Sequence, residues 1–589
     1  MCPHFYYGKI RFKWESPSGH QLAAYLYIPQ NATKDTPAPG VVTIEGWYNN
    51  KEMQDLYSIE LARRGYVVLA LDLHSHGDSE SLSIAELYDG AVGVDGAVQL
   101  IASLPYVDTA RIGVTGHSSG GTAANMAVEI DNSRETPLIA AVLQQAGDWQ
   151  DDTGGDHSGD YGSRSVGIIA STHDDFYFGT YDDAGNMLTN PAAFMETDGA
   201  KKFLNFNEDG FAGIAEGGKY YTRDFDGKTA YRVIYRPNMI HPLVAFSTTC
   251  VGYAVDFFDT TLGAPKPLPA SDQIWPIKAV FNSLGVIGLL IFMVSFTLVL
   301  LDTPVFSALR SGEIVQPAPV QDSGAKAWYW VLLIIGAVFS GASFLFCMNT
   351  VYSKTTNFFV QTGPLTIGTW AALCGVFAIF CSAVFYGAYG KKHGWSARRA
   401  GLYLNLEQLW KTIALAVIVI VVSFGLVFAA HYFFQVDYRM YVVAFKTFGA
   451  DKVLIALRYL PFFLLFYVMN SISANCFNYN TIGGKNGNIL IFAFFNALGA
   501  IFVVASQYIY FYATGYQLYG LTEGQRIGPI WLFPCMVLLF VTPIMSRIIY
   551  KRTRNPYIAG LINAMFIVMI SCSNTTTILG GGELIATTF

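Results

Sequence analysis

The sequence contains little charge and few cysteines, and these two shortages exclude several kinds of protein. Asp, Glu, Lys and Arg make up 14% of the 589 residues, whereas soluble proteins carry about 25%. None of the eight cysteines belongs to a Cys-x-x-Cys pair, so their spacing indicates neither a disulfide framework nor a zinc site. We therefore expect a chain that is partly embedded in a membrane and that needs no metal and no cofactor.

The charge that is present divides the chain into an acidic part and a basic part. Residues 1–275 hold 18 Lys and Arg against 35 Asp and Glu, and the remaining residues hold 19 against 8. Because nucleic-acid binding requires a basic face, the acidic first part argues against a nucleic-acid partner. We expect an acidic globular domain followed by a long apolar region.

Residues 1–263 combine short apolar segments with helical ones, which predicts an α/β domain. Strands are predicted as a hairpin at 9–29 and then at 40–44, 66–72, 111–115, 138–144, 166–171 and 231–235. Helices are predicted at 51–64, at 84–103 and from residue 119 to about residue 130. Strands that alternate with helices indicate a mostly parallel sheet covered on both faces.

The rest of the chain consists mainly of long apolar stretches. Residues 264–275 are polar and rich in proline, and we interpret them as a linker. Residues 276–589 are predicted to form an all-α transmembrane domain, since a helix needs about 20 apolar residues to cross a bilayer. Eight such stretches lie near 279–301, 327–348, 365–388, 412–433, 453–472, 488–512, 528–546 and 556–573. The lipid bilayer is therefore an expected partner.

Clusters of lysine and arginine predict the orientation of this multi-pass chain. They lie after the third and the seventh stretch, at Lys391, Lys392, Arg398, Arg399, Arg547, Lys551, Arg552 and Arg554. Because cationic loops face the cytoplasm, counting back places the first domain on the extracytoplasmic side of the cell membrane. The N-terminus lacks the apolar run and cleavage site of a signal peptide. This orientation therefore requires export by the first span or by a helix upstream, unless the span count differs by one.

The segment Gly116-His117-Ser118-Ser119-Gly120 carries the strongest functional signal. A serine on a tight turn between a strand and a helix projects its hydroxyl from the sheet, and small residues two positions before and after it permit the turn. The alternative is an ordinary glycine-rich turn, which the buried strand before the segment and the small-residue helix after it disfavour. We predict that Ser118 is a nucleophile and that the backbone N–H of Ser119 binds an oxyanion.

A serine hydroxyl needs a base, and histidine is the usual one. His241 follows the last predicted strand and comes after the candidate acids, which gives the chain order Ser, Asp, His. Asp174 follows the strand at 166–171 and is the predicted acid, which would orient the histidine and stabilise its charged form. Asp175 is the close alternative, and Asp148 is a weaker third candidate.

The second oxyanion donor is expected in the loop after the strand at 40–44. The backbone N–H of Trp47 is the first choice there, and that of Gly46 is the second.

Two later insertions are expected near the site. Residues 147–165 are rich in Asp and Gly and are predicted as a solvated loop, because their spacing is not that of a calcium-binding EF-hand. Residues 176–218 are rich in aromatic side chains and are predicted either as a lid or as a packed appendage.

Residues 9–258 resemble the α/β-hydrolase superfamily, on the side of its esterases, dienelactone hydrolases and acyl-peptidases. The segment 72–79, Asp-Leu-His-Ser-His-Gly-Asp-Ser, is similar to the family's loop after the fourth strand. The segment 104–108, Leu-Pro-Tyr-Val-Asp, looks like the family's approach to the strand before the serine. Glu45-Gly46-Trp47 is similar to the family's His-Gly-x oxyanion loop, with Glu45 where histidine is common. The resemblance implies the α/β-hydrolase fold.

These observations predict a membrane-bound serine hydrolase that cleaves a small carboxylic ester or a related acyl bond through an acyl-enzyme. Ser118, His241 and Asp174 would form the triad, and the N–H groups of Trp47 and Ser119 would form the oxyanion hole. A peptidase or an acyltransferase would use the same residues. The alternative from another class is a transporter or membrane scaffold whose hydrolase-like domain senses a ligand without turnover. No oligomeric state is indicated.

Overall fold

Most strands of the first domain form one large sheet. The computed structural model describes residues 7–151, 155–182, 187–320 and 322–583. Residues 152–154 and 183–186, which belong to the two predicted insertions, lie outside the described residues. In the described chain the strands are β1 (Tyr7–Glu15), β2 (Gln21–Pro29), β3 (Ala38–Ile44), β4 (Val67–Asp72), β5 (Val107–His117), β6 (Ile139–Gln145), β7 (Ser165–Ile169), β8 (Thr180–Tyr181), β9 (Met187–Thr189), β10 (Tyr221–Phe225), β11 (Lys228–Tyr235), β12 (Lys354–Thr355), β13 (Tyr438–Met440), β14 (Val443–Phe445) and β15 (Gly582–Glu583).

The large sheet has nine described strands in the order β1-β2-β4-β3-β5-β6-β7-β11-β10. Its central strands, from β4 to β11, run parallel, while β1, β2 and β10 are antiparallel to their neighbours. β3 and β4 are buried along their whole length, as is typical of parallel strands covered on both faces. The prediction of a mostly parallel sheet is confirmed. The apolar pattern does not indicate β10, because charged residues occupy its interior.

Helices cover both faces of this sheet. α3 and α4 pack on the face that carries Val42 and Leu69, whereas α1 and α7 pack on the face that carries Val41 and Val68. A short 3-10 turn, Lys51–Gln54, precedes α1. The bounds are α1 (Asp55–Arg63), α2 (Asp89–Val92), α3 (Val94–Ser103), α4 (Ser119–Asn132), α5 (Asp198–Leu204), α6 (His241–Val244) and α7 (Thr248–Leu262).

The C-terminal part is a helix bundle. Seven of its described helices are long and apolar enough to cross a membrane. The eighth predicted stretch forms a shorter helix, α15, of 17 residues, which is about 26 Å long and lies buried against its neighbours. The bounds are α8 (Trp275–Leu301), α9 (Ser323–Thr350), α10 (Thr362–Phe385), α11 (Leu406–Phe434), α12 (Ala450–Ile472), α13 (Gly484–Thr514), α14 (Glu523–Thr553) and α15 (Tyr557–Ser573).

One of the predicted loop cations lies inside the bundle instead. Arg547 belongs to α14, and its side chain is 2% exposed. Its guanidinium donates to Asn475 at 2.8 Å and to Asn488 at 3.0 Å, and it lies 3.9 Å from the ring centre of Tyr479. Because amide oxygens and an aromatic face satisfy the charge, the helix can continue to Thr553, about two turns beyond the predicted end of the seventh span.

The segment between the two parts packs against α1. α7 ends at Leu262 and α8 begins at Trp275. The guanidinium of Arg64 donates to three backbone carbonyls of the intervening segment, at 2.6 to 3.3 Å, and Arg64 is 1% exposed. The predicted linker is therefore a docked strap that fixes the sheet relative to the first membrane helix.

The edge of the sheet formed by the carboxyl ends of its parallel strands faces the bundle. Tyr48, in the loop after β3, shares a hydrogen bond of 3.1 Å with Tyr352 after α9. On the other side of the edge, Tyr441 Oη donates to the Pro242 carbonyl at 2.7 Å. Ligand sites of parallel sheets lie at this edge, so the bundle covers the place where a site is expected.

Candidate active site

Ser118 occupies a strained turn between β5 and α4. Its backbone has φ +54° and ψ −127°, which only a few residue types tolerate. A Cβ on Gly116 would lie 2.2 Å from the Gly120 backbone, and a Cβ on Gly120 would lie 2.3 Å from the Glu45 carbonyl oxygen. The two glycines are therefore required for the turn, as the motif predicts, and the serine stands at the sheet edge.

His241 and Asp174 form a buried hydrogen-bonded pair. His241 begins α6, directly after the loop that follows β11, and Asp174 follows β7. His241 Nδ1 lies 2.9 and 3.0 Å from the two carboxylate oxygens of Asp174. The carboxylate also accepts from Ser171 Oγ at 2.8 Å and from the backbone N–H groups of Phe176 and Tyr177. These donors fix the carboxylate, which in turn orients the imidazole ring.

Aromatic rings hold the His241 imidazole in place. Phe176 meets it edge-on at 4.9 Å between ring centres, and Tyr177 stacks on it at 5.8 Å. His117 lies against it at 4.8 Å. Burial and the nearby His241 lower the pKa of His117 to about 3, so His117 is neutral near neutral pH and adds no second charge to the site.

Ser118 adjoins this pair, since Ser118 and His241 line one cavity. Among the described residues no hydrogen bond joins Ser118 Oγ to His241. In ligand-free enzymes this bond is often long and shortens only when the substrate is bound. The structure thus places the predicted nucleophile, base and acid at one edge of the sheet in the expected chain order.

The other two candidate acids face elsewhere. Asp175 is fully buried, and its carboxyl faces the Tyr508 hydroxyl and the backbone N–H of His241; burial and the Asp174 charge raise its pKa well above the usual range. Asp148 accepts the N–H of Gln150 at 2.9 Å, and burial raises its pKa to about 6. In the described chain the His241 ring bonds to the carboxylate of Asp174 and to neither of these.

The predicted oxyanion donors lie beside Ser118. A Cβ on Gly46 would be 3.2 Å from the Ser118 Cβ, so the loop after β3 touches the serine. Trp47 and Ser119 line the same cavity as Ser118. Ser119 is the first residue of α4, and the first N–H groups of a helix have no partner within it. Both residues therefore lie beside Ser118, and the oxyanion role of their N–H groups stays a prediction.

The Glu45 side chain points away from this cavity. Its Oε1 accepts the backbone N–H of Leu73 at 2.8 Å. Burial and the neighbouring Asp72 raise the pKa of Glu45 well above its usual range, which favours the neutral form of this buried group. Its replacement of the family's common histidine therefore brings no negative charge to the oxyanion position.

The cavity at Ser118 continues between the membrane helices, which sequence reasoning missed. It measures about 260 Å³. Its wall beyond the sheet is formed by apolar side chains of α10, α12, α14 and α15, namely Ile367, Trp370, Phe463, Tyr467, Ile527, Trp531, Leu538 and Ile570. No local motif marks these positions, because residues of the four helices become neighbours only in the folded bundle.

A ring of polar groups surrounds the cavity where the sheet meets the bundle. Asn50 Nδ2 donates to Asn574 Oδ1 at 3.0 Å, and Arg439 donates to Asn50 Oδ1 at 3.0 Å. Glu523 also lines the cavity, and its carboxylate accepts a hydrogen bond of 2.5 Å from the Tyr352 hydroxyl. The cavity is therefore polar near Ser118 and apolar deeper in the bundle.

The two predicted insertions pack on each other. Trp149 of the first insertion stacks on Phe194 and Phe203 of the second, at 5.9 and 5.7 Å between ring centres. His157 Nε2 lies 3.0 Å from Asp151, and its Nδ1 lies 2.8 Å from Asp160. The described part of the second insertion is thus mainly a packed appendage. The membrane bundle covers the site instead.

Comparison with known proteins gives partial matches to the first domain. A family model described as Esterase FrsA-like matches residues 5–143. The uncharacterised protein PA2218 of Pseudomonas aeruginosa is 35% identical over 117 residues, which are 19% of this chain and 31% of that protein. The uncharacterised protein YcjY of Escherichia coli is 25% identical over 138 residues, which are 23% of this chain and 45% of that protein. The chain thus spans less than half the length of either curated relative.

A solved esterase of Pyrococcus furiosus, Pf2001, is similar to 44% of this chain and 94% of its own, at 12% identity and a TM-score of 0.30. The match to an esterase family supports hydrolase chemistry in the first domain. This family match, together with the sheet order and the serine turn after β5, identifies the α/β-hydrolase fold in this part of the chain.

Proposed function

We propose that the protein is a membrane-embedded serine hydrolase that cleaves carboxylic esters carrying a long apolar acyl chain. The observation that carries this proposal is one cavity that holds Ser118 and His241 at its polar end and continues between membrane helices. The buried hydrogen bond between His241 and Asp174 supports the same chemistry.

The proposed reaction needs only residues of this chain. His241 Nε2 takes the proton from Ser118 Oγ as the oxygen attacks the ester carbonyl, and Asp174 stabilises the imidazolium. The N–H groups of Ser119 and Trp47 would stabilise the negative oxygen of the tetrahedral intermediate. The protonated His241 then gives its proton to the leaving alcohol. Water activated by the same histidine hydrolyses the acyl-enzyme and frees Ser118.

The two ends of the cavity match the two ends of such a substrate. The acyl chain would lie among the bundle side chains, where each buried methylene contributes about 0.8 kcal/mol. The ester group and its alcohol would lie at the level of Asn50, Arg439 and Glu523, which offer donors and acceptors.

We place this hydrolase on the extracytoplasmic side of the cell membrane. α8 begins beside α1, and α15 ends beside the loop after β3, so the first and last bundle helices both have an end at the sheet. Lys391, Lys392, Arg398 and Arg399 lie in the connection at the opposite end, between α10 and α11. Cationic connections of this kind face the cytoplasm.

The test is labelling of the purified protein by a fluorophosphonate, which reacts with activated serines. The wild type should be labelled, and Ser118→Ala should abolish labelling. Ser133→Ala serves as the matched control, because Ser133 is an exposed residue at the other end of α4. A folded wild type that takes up no label would reject the hydrolase and favour the transporter or scaffold alternative.

A further inference from the structure

A second cavity of about 350 Å³ lies in the bundle, on the side away from the sheet. Its wall is formed by α9, α10, α12 and α13 and by the connections that precede α9, α11 and α13. It includes apolar side chains such as Leu333, Phe377 and Phe492 and reaches Tyr389 and Trp395 at the far end. The catalytic site as described does not use this cavity.

The two cavities share two wall residues, Cys374 of α10 and Phe466 of α12. The helices touch at this level, because a Cβ on Gly375 would lie 2.8 Å from the Leu465 backbone. Glycine permits such a close approach of two membrane helices. The backbone contact positions Cys374 and Phe466 between the two cavities, so their side chains form part of the partition that separates them.

The cavities together follow α10 through most of the membrane. The first reaches from Gly363 to Cys374, a rise of about 17 Å. That is more than half of the roughly 30 Å of a hydrocarbon core. The second continues from Cys374 to Tyr389. An extended chain attached at Ser118 would therefore meet Phe466 before it reached the middle of the second cavity.

We propose that Phe466 sets the acyl-chain length that the enzyme accepts: its ring ends the first cavity, and longer chains pass it into the second. This inference rests on the proposed function. The second cavity suits a chain, since all four asparagines in its wall form hydrogen bonds within the protein. Asn470 donates to Asn496 at 2.6 Å, and Asn496 donates to the Leu539 carbonyl at 2.6 Å. Asn478 donates to the Ser473 carbonyl at 2.7 Å, and Asn480 accepts from Asn488 at 3.1 Å. Because these amides are hydrogen-bonded within the protein, the apolar side chains of the wall remain available to contact an acyl chain.

The experiment measures kcat/KM for p-nitrophenyl esters from acetyl to stearoyl with the purified full-length protein. Phe466→Ala should move the optimum to longer chains, with a gain of up to about fourfold for each further methylene that enters the second cavity. Phe466→Trp should move the optimum to shorter chains, because the larger ring shortens the first cavity. The two opposite shifts could not both arise from general loosening of the bundle.

Phe462→Ala is the matched control. Phe462 lies one turn earlier on α12 and packs on Phe359, at 5.6 Å between ring centres, and it lines neither cavity. It should leave the chain-length optimum unchanged. A shift of equal size in Phe462→Ala and Phe466→Ala, or no shift in either Phe466 variant, would overturn the inference.

A second readout does not depend on turnover. Alkyl fluorophosphonates with a short and a long chain label Ser118 at measurable rates, and Phe466→Ala should raise the rate of the long probe alone. Normal labelling of all variants with equal rate ratios would overturn the role of Phe466 and leave the hydrolase intact. Failure of both probes on folded wild type would overturn the proposed function and this inference with it.

Discussion

Asp174 and Asp175 are neighbours in the chain, but their carboxyl groups lie in opposite surroundings. The Asp174 carboxylate accepts hydrogen bonds from Ser171, from two backbone N–H groups and from His241. Burial and the charge of Asp174 raise the pKa of Asp175 well above its usual range. Among the described residues, the Asp174 carboxylate bonds to the His241 ring, whereas the Asp175 carboxyl faces the Tyr508 hydroxyl. Asp174 is therefore the carboxylate positioned to stabilise a charged His241.

We expect Asp174→Asn to lower kcat by about 10³- to 10⁴-fold, because an amide does not hold the productive tautomer of the histidine. Asp175→Asn should change kcat far less, since the described hydrogen bonds of the His241 ring go to Asp174 and not to Asp175. The measurement is steady-state ester hydrolysis by variants that unfold at the same temperature as the wild type. Equal losses in both variants would contradict the assignment of Asp174.

At the residue scale, the sequence predicts positions whose constraint is local. Ser118 is predictable because Gly116 and Gly120 must lie two residues from it, whatever the rest of the chain does. Asp174 and His241 follow from the order of strands. The orientation of Glu45 is not predictable, because its partner, the Leu73 N–H, is 28 residues away and belongs to the next strand's loop.

The 3-10 turn Lys51–Gln54 connects the sheet edge to the bundle through buried charge. Lys51 Nζ lies at Asp72 and 2.7 Å from Asp78, and the Lys51 side chain is fully buried. Burial opposes its charge, but Asp72 and Asp78 hold the pKa of Lys51 well above the ordinary value. The next residue, Glu52, pairs with Lys446 of the bundle at 3.0 Å. Both charged residues of the turn, Lys51 and Glu52, are therefore held in ion pairs.

We expect Lys51→Met to lower the free energy of unfolding by about 3–5 kcal/mol, because Asp72 and Asp78 would remain buried without their cation. The check is the thermal unfolding midpoint of the purified protein, followed by tryptophan fluorescence. Lys34→Met, a change of the same size at an exposed position, is the control. If both variants unfolded at the same temperature, the buried carboxylates would not need Lys51. Arg11, which lies 3.0 Å from Asp78, would then be the cation that compensates them.

At the scale of elements, the sequence predicts those with a strong apolar period. The parallel strands and all eight bundle helices are long apolar runs, and the structure has helices or strands at each of them. The pattern does not predict what covers the site. The aromatic side chains of the second insertion suit a lid and an appendage equally, and their partner, Trp149, lies in another insertion.

The whole molecule explains why charge divides so unevenly along the chain. Cations of the bundle meet carboxylates of the sheet domain: Lys446 pairs with Glu52, and Lys278 pairs with Asp55. The two residues of each pair are hundreds of positions apart in the chain. Composition therefore predicts the uneven distribution of charge but not these ion pairs. Some bundle cations therefore lie on the sheet side of the membrane in ion pairs, so the orientation rule rests on the larger cation clusters at the other end of the bundle.

The cation cluster between α10 and α11, with Lys391, Lys392, Arg398 and Arg399, lies at the end of the bundle away from the sheet. It predicts which side of the membrane the sheet domain occupies. A cysteine introduced by Ser103→Cys, at the exposed last residue of α3, should react with a membrane-impermeant maleimide in intact cells. Glu313→Cys, exposed between α8 and α9, should react only after permeabilisation. The unaltered protein gives the background of its native cysteines. The reverse pattern would place the hydrolase in the cytoplasm, so that esters would reach Ser118 from the inner leaflet.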